Sequence, residues 1–160
     1  MLVPAITRKE ELTKLFTEHI YDKNIFFFTG YLHANKIPTF ELEENIYRWA
    51  IIDKSYLLKS EQTIGYFSYC IDTANDSVYG FSLYSFENNP VIGLSVYRKM
   101  EELIKSHHRV EWRMISGNPV QKHYDRFIKR FNGNRVQLHD AIKDGDGIYR
   151  DEYIYEIVKS

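Results

Sequence analysis

The stretch that most constrains the fold is residues 79–104, whose sequence YGFSLYSFENNPVIGLSVYRKMEELI predicts a central strand, a sharp turn and a helix. Both faces of the central strand carry apolar or aromatic side chains: Tyr79, Phe81 and Leu83 on one face, and Tyr84 and Phe86 on the other. A strand that is apolar on both faces is typical of the interior of a sheet that is covered on both sides. The rest of the chain must therefore supply covering elements for both faces.

The turn after the central strand contains the start of the helix. Asn89 is a favourable N-cap, and Pro90 suits the first helical position because a helix does not use the N–H group that proline lacks. Apolar residues then recur at three- and four-residue spacing and predict one buried helix face: Ile92, Val96, Met100, Leu103 and Ile104. Gly93 and Ser95 leave the first turn uncrowded, so its N–H groups could bind a phosphate. An ordinary capped helix that binds nothing is the more frequent outcome of such a pattern.

Length and composition indicate one globular domain that spans residues 1–160. The net charge is −1 and basic and acidic residues are interspersed, which argues against a broad nucleic-acid or membrane-binding surface. The single cysteine, Cys70, has no partner for an internal disulfide and favours a reducing, cytoplasmic setting. We expect neither a signal peptide nor a transmembrane helix, because no apolar run is long enough.

The residues before the central strand predict a helix and two strands. Thr7 and Glu10 match a capping box, which predicts a helix from Lys9 to Tyr21. Three segments follow this helix: a short helix or a loop at residues 24–38, and strands at 45–53 and 62–72. The turn residues at 73–76 predict that the last of these strands pairs with the central strand as a hairpin.

The residues after the helix predict a strand, a second capped helix and a hairpin. His107 and His108 stand at the helix end, where imidazoles interact favourably with free carbonyls; adjacent helix positions point apart, so the pair is a poor metal site. Residues 109–116 predict a strand that the helical crossover places parallel to the central strand. The remaining predicted features are a helix start at Asn118 and Pro119, an apolar stripe (Val120, Tyr124, Phe127, Ile128, Phe131), a helix end at Gly133, and hairpin strands at 135–142 and 148–158. The DGDG turn of this hairpin is too short for a calcium loop, and we predict no metal site.

This order of elements predicts an α+β fold with the three layers of α/β proteins: a mixed central sheet with a parallel strand pair and a C-terminal hairpin. Three short patterns accompany it. Gly65 lies between two apolar residues, the helix opens on PVIGLS, and the segment ISGNPVQKHYDRF combines a strand, an asparagine and a helix with a tyrosine. Together with the order of elements, these patterns resemble the GCN5-related N-acetyltransferases, the GNAT superfamily.

The match to the family's patterns is partial. The family's pyrophosphate loop, Gln/Arg-x-x-Gly-x-Gly/Ala, aligns with PVIGLS: Gly93 fits, Ser95 is a small replacement, and Pro90 stands where the family has a polar or cationic residue. Asn118 fits the family asparagine. Tyr124 follows it by six residues, where the common spacing is seven.

The resemblance implies a domain in which the central strand and the next parallel strand splay apart and bind acetyl-CoA as cosubstrate. The pantetheine arm is expected to add to the central strand like a short extra strand, at the backbone of Leu83, Tyr84 and Ser85. The pyrophosphate is expected to face five residues of the helix start: Val91, Ile92, Gly93, Leu94 and Ser95. Asn118 is expected to cap its helix and also to contact the cofactor.

The resemblance also implies an acid and a base for acetyl transfer to an amine. Tyr124 is the candidate general acid that protonates the departing thiolate, with a core tyrosine as the alternative. Glu111 and Glu87 are the carboxylates nearest to the expected site along the sequence and are candidate bases, with an exposed or salt-bridged carboxylate as the alternative for each.

Other functions remain open from the sequence. One alternative is a GNAT-fold binding module that has lost catalysis, which Pro90 and the position of Tyr124 favour. Another is a small α+β interaction protein that binds no CoA. The family builds its acceptor pocket from the first loops and the final hairpin, here residues 26–40 and 143–149, which do not identify the amine. The edge of the hairpin can pair with a second subunit in a homodimer.

Overall fold

The chain folds around a mixed β-sheet in a computed structural model that describes residues 1–22, 37–55 and 60–159. Within these residues the strands are β1 (Leu2–Pro4), β2 (Ile46–Ser55), β3 (Ser60–Asp72), β4 (Ser77–Ser85), β5 (Arg109–Ile115), β6 (Asn134–Lys143) and β7 (Tyr149–Val158). The helices are a 3-10 turn (Ala5–Arg8), α1 (Lys9–His19), α2 (Pro90–Ser106) and α3 (Gln121–Arg130). Most of the predicted segment 24–38 lies outside the described residues.

The strand order confirms the predicted mixed sheet. The strands lie in the order β1-β2-β3-β4-β5-β7-β6, and every neighbouring pair is antiparallel except β4 and β5. The helical crossover α2 makes those two strands parallel, and β6 and β7 form the predicted C-terminal hairpin. Since β7 lies between β5 and β6, β6 is an edge strand, and all but one of its residues are exposed.

Two apolar clusters cover the two faces of β4, as the sequence predicts. On one face Phe81 and Leu83 pack against the larger cluster, which holds the buried faces of α2 and α3. On the other face Tyr84 and Phe86 pack with Phe16 of α1. The sheet therefore separates α1 from α2 and α3 in three layers.

A bulge in β4 overturns one predicted side-chain orientation. Ser82 pairs with Ser68 and Tyr79 with Cys70, so β4 has one residue more than β3 between these pairs. Gly80 takes a φ of +64°, which glycine adopts without strain. The extra residue exchanges the faces on which the side chains before the bulge lie. Val78 is therefore buried, whereas Tyr79, which was predicted on the same face as Phe81, is 47% exposed.

The predicted capping box at the start of α1 is wrong. The Thr7 hydroxyl donates to the Pro4 carbonyl at 2.7 Å within the 3-10 turn. The N-cap of α1 is Arg8, without a side-chain capping bond, and the helix ends at His19 rather than Tyr21. The Thr7 hydroxyl is bonded within the 3-10 turn that connects β1 to α1, and therefore does not cap the helix.

The ends of α3 also differ in detail from the prediction. Asn118 Oδ1 accepts from the Val120 N–H at 3.1 Å, as a cap does, but a turn precedes the regular helix at Gln121. At the other end Asn132, not Gly133, takes the left-handed conformation, with a φ of 51°. Gly133 is required for space instead, because a Cβ there would lie 2.5 Å from the Glu156 carbonyl oxygen of β7.

Asp144 organises the hairpin turn and gives a testable pH dependence. Its carboxylate accepts from the Arg150 guanidinium at 2.7 Å and from the Asp146 and Ile148 N–H groups. The Arg150 guanidinium, and after it these N–H groups, lower the pKa of Asp144 below its ordinary value of 3.8. A group with a lowered folded-state pKa stabilises the fold above its unfolded pKa, and this contribution disappears as the pH falls through the folded value.

We therefore expect Asp144→Asn to lower the thermal midpoint at pH 7. The gap to the unchanged protein should narrow as the pH falls below the ordinary value of 3.8 and close below the lowered folded-state pKa. Thermal unfolding followed by circular dichroism across this range measures the gap. Asp146→Asn, in the same turn, is the control and should show little gap at any pH. A gap that is independent of pH would contradict the role of the Asp144 charge.

Candidate functional site

The candidate site lies where β4 and β5 separate. The two strands pair only at Ser77 with Arg109 and at Val78 with Val110, and then diverge. Beyond this point neither facing edge has a strand partner among the described residues, so backbone N–H and C=O groups line the gap. The predicted splay is therefore present in the fold.

The divergence opens a largely apolar cleft of about 700 Å³. Its β4 wall carries Phe81, Leu83 and Ser85, and its β5 wall carries Trp112, Arg113 and Met114. Two helices complete it: the first turns of α2 (Asn89, Pro90, Ile92, Gly93, Leu94) and one face of α3 (Val120, His123, Tyr124, Phe127). A volume of this size is typical of small-molecule and cofactor sites.

Tyr124 lies deep in this cleft. Its ring packs edge-on against Trp112 and Tyr155, each with a centroid separation of 5.8 Å. Burial raises the pKa of Tyr124 to about 12, and its hydroxyl has no hydrogen-bond partner within the described part of the chain. The hydroxyl therefore keeps its proton at neutral pH and can donate it to a ligand.

Trp112 and His123 also line the cleft and were not among the residues predicted from the sequence. The Trp112 ring stacks on Tyr155 at 5.3 Å, and its buried indole N–H has no partner among the residues described. His123 could have been found from its spacing, because it lies three residues after Val120 and four before Phe127. Trp112 gives no comparable signal, since its contacts come from distant elements.

Asn89 holds the start of α2, as predicted. Its Oδ1 accepts from the Val91 N–H at 2.9 Å, and its carbonyl accepts from the Ile92 N–H at 3.1 Å. Its side-chain NH₂ also donates to Asp53 Oδ2 and Glu87 Oε1, both at 2.9 Å. One asparagine therefore joins the helix start to two carboxylates.

Three of the five predicted pyrophosphate contacts line the cleft, namely Ile92, Gly93 and Leu94. Val91 and Ser95 are not among the lining residues, and the Ser95 hydroxyl accepts from the Met1 amine at 3.1 Å. A Cβ added to Gly93 would meet nothing within 4 Å. This glycine therefore leaves space that no described residue fills.

Of the four other predicted cofactor contacts, three line the cleft and one does not. Leu83, Ser85 and Asn118 line the cleft. The Tyr84 side chain points to the opposite face, with its ring 4.7 Å from that of Phe16, and its carbonyl oxygen lies on the β3 side, 2.8 Å from where a Cβ of residue 65 would be. Alternation along the strand makes this arrangement a consequence of placing Leu83 in the cleft.

The two candidate bases lie outside the cleft lining. Glu111 pairs with Arg109 at 2.6 Å and with Arg113 at 4.0 Å on the opposite face of β5 from Trp112. Glu87 accepts from Asn89 at 2.9 Å and from Gln62 at 3.5 Å. Among the described residues no carboxylate lines the cleft, and no group of three or more side chains suited to a metal is present. Nor is any helix in this part of the chain long and apolar enough to cross a membrane.

Comparison with known proteins identifies the fold. No protein-family model and no curated protein matches the sequence. A solved GCN5-related N-acetyltransferase from Brucella melitensis matches 98% of this chain and 74% of its own, with a TM-score of 0.63 and 18% identity. A probable GNAT-family acetyltransferase from Chromobacterium violaceum matches 92% and 79%, with a TM-score of 0.58 and 15% identity.

A third structure is a mutant of the spermidine N-acetyltransferase SpeG from Vibrio cholerae, with a TM-score of 0.53 and 14% identity over 93% of this chain and 74% of that one. Likeness at such low identity concerns the path of the backbone. The sheet order, the parallel β4–β5 pair and these structural matches agree with one another. The chain has the fold of the GCN5-related N-acetyltransferases.

Proposed function

We propose that the protein is an acetyl-CoA-dependent N-acetyltransferase that transfers the acetyl group directly to an amine. The observation that carries this proposal is the divergence of β4 and β5 after Val78 and Val110, which forms an apolar cleft with Tyr124 inside it. The fold of known acetyltransferases supports the same function. The amine is not specified by the described residues.

The cleft fits the pantetheine arm of the donor. That arm carries two amides, which can pair with the β4 backbone at Leu83 and Ser85 as an added strand does, because this edge has no strand partner on the β5 side among the described residues. Phe81 and Met114 offer apolar surface to its methylene groups. Gly93 opens the α2 side of the cleft to the same ligand, because no atom of the described residues lies within 4 Å of a Cβ built there.

The chemistry assigned to the site is one bond exchange. Acetyl-CoA supplies a thioester, whose carbonyl carbon forms a bond to the amine nitrogen while its bond to sulfur breaks. The Tyr124 hydroxyl donates a proton to the leaving sulfur and recovers one from solvent. The amine loses its proton to water, because neither Glu87 nor Glu111 lines the cleft.

Substitution of Gly93 tests the donor site. We expect the unchanged protein to bind acetyl-CoA with a dissociation constant of about 1–100 µM, as is common for enzyme cosubstrates. Gly93→Trp should abolish binding because the indole fills the cleft, whereas Gly93→Ala should retain it. Titration calorimetry measures all three proteins. Equal binding by the unchanged protein and by Gly93→Trp would contradict the assigned site.

A GNAT-fold binding module without catalysis is the second candidate. It is favoured by the lack of a carboxylate among the described residues that line the cleft. An assay of thiol release from acetyl-CoA with a panel of amines separates the two candidates. Spermidine is the first amine to include, because one protein of similar fold acetylates it. Binding of acetyl-CoA without thiol release for any amine would support the module.

A further inference from the structure

We propose that this protein recognises its acyl donor through the pantetheine arm and that Asn89 closes the start of α2 to the diphosphate of CoA. The inference rests on the proposed function, since it concerns the same cleft. It assigns to Asn89 a role in donor selectivity, in addition to its role as a helix cap. The ligand class is a pantetheine thioester whose diphosphate, when present, lies outside the cleft.

The hydrogen bonds at the start of α2 occupy the donors that an anion would need. An anion binds a helix start through N–H groups that the helix leaves free. Here Pro90 has no N–H, and Asn89 takes those of Val91 and Ile92 with its side chain and its carbonyl. The first three helical residues therefore have no free donor to offer a diphosphate.

The charges beside the same turn also oppose the binding of a diphosphate. Asp53 and Glu87 both accept a hydrogen bond from the Asn89 side-chain NH₂ at 2.9 Å. Two carboxylates therefore already lie at the positive end of the α2 dipole and repel a further anion there, while the Met1 ammonium near this turn donates to Ser95. The two bonds also fix the Asn89 side chain with its Oδ1 turned towards Val91. The asparagine cannot rotate away without losing all three contacts.

The rest of the cleft keeps its capacity for the pantetheine arm. The backbone of β4 at Leu83 and Ser85 has no strand partner on the β5 side among the described residues. The walls are apolar around Phe81 and Trp112, and none of these groups is held by Asn89. Affinity is therefore expected from the arm and the acyl group, with little contribution from the diphosphate.

A comparison of two ligands tests this inference. We expect CoA and pantetheine to bind with dissociation constants within about threefold of each other in titration calorimetry at physiological salt. A diphosphate held by charge-assisted bonds would make CoA bind about 100-fold more tightly, which would overturn the inference and leave the proposed function standing. Failure of both ligands to bind the folded protein would overturn both proposals.

Asn89→Gly tests the role of the side chain directly. Glycine at an N-cap costs only a few tenths of a kcal/mol, so the variant should fold. It frees the Val91 N–H, and we expect CoA to bind about fivefold more tightly while pantetheine binding is unchanged. Unchanged or weaker binding of CoA would overturn the assignment.

Asp53→Asn tests the effect of the carboxylate charge separately from that of the Asn89 cap. This variant removes one of the two carboxylate charges, and we expect CoA to bind about twofold more tightly, with a smaller gain at high salt. Glu102→Gln makes the same change of charge further along α2, where Glu102 pairs with Lys99 at 2.8 Å, and should leave CoA binding unchanged. An equal effect of the two variants would contradict a local role for Asp53.

Discussion

Replacement of Tyr124 by phenylalanine is expected to lower kcat by about 100-fold or more, because a positioned general acid contributes roughly that much to the rate. The dissociation constant for acetyl-CoA should change little, since the ring and its contacts with Trp112 and Tyr155 remain. Thiol release at saturating donor and amine measures kcat, and calorimetry measures binding. The effect should therefore appear in turnover alone.

Tyr124→Phe removes one hydroxyl without disturbing a described contact. The hydroxyl has no hydrogen-bond partner among the described residues, so its removal leaves no described group unpaired. The fold should therefore be at least as stable as before. Glu111→Gln is the control: it removes a carboxylate that pairs with Arg109 outside the cleft, and should lower kcat less than about threefold.

The pH dependence follows from the raised pKa of Tyr124. A general acid acts in its protonated form, so its contribution is constant below its pKa and declines as the pH rises through it. With a pKa of about 12, Tyr124 stays protonated and should support full turnover at neutral and mildly alkaline pH. A loss of less than about threefold in kcat for Tyr124→Phe would refute the assigned role.

The largest expected effect on stability comes from Gly133→Ala, which should lower the free energy of unfolding by about 3 kcal/mol. An added Cβ would lie 2.5 Å from the Glu156 carbonyl oxygen and 2.8 Å from side-chain carbons of Ile128 and Ile157. Because one of these atoms is backbone in the middle of β7, the strand or the end of α3 must shift. Urea unfolding followed by circular dichroism measures the change.

Gly93→Ala is the matched control for Gly133→Ala. Its added Cβ meets nothing within 4 Å, and it replaces a glycine inside a helix, so it should stabilise the fold by about 0.5–1 kcal/mol. The two substitutions are chemically identical and should therefore have effects of opposite sign. Equal destabilisation by both would show that the close approach of α3 to β7 is not what requires glycine at position 133.

The features that the sequence predicts well depend on residues close together along the chain. Asn89 caps α2 through a bond to Val91, two residues away, and the buried face of α2 follows a three- and four-residue spacing. The crossover rule then makes β5 parallel to β4. Local chemistry and one topological rule are therefore sufficient for the order of elements and for the position of the splay.

The features that the sequence does not predict depend on contacts between distant residues. The bulge at Gly80 appears only in the register of β4 against β3, and it moves Tyr79 out of the core. Asp53 reaches Asn89 across 36 positions of sequence. Trp112 lines the cleft beside a tyrosine of another element. Spacing along the chain contains no information on such pairs.

Amide hydrogen exchange with and without acetyl-CoA shows whether the donor binds where β4 and β5 separate. If the donor adds to the divergent edge of β4, the amides of residues 81–85 should exchange at least about tenfold more slowly at saturating acetyl-CoA. Strand β6, which lies at the edge of the sheet and supplies no lining residue, should be unaffected. Protection confined to another surface, or no protection at saturating donor, would show that the donor does not bind along β4.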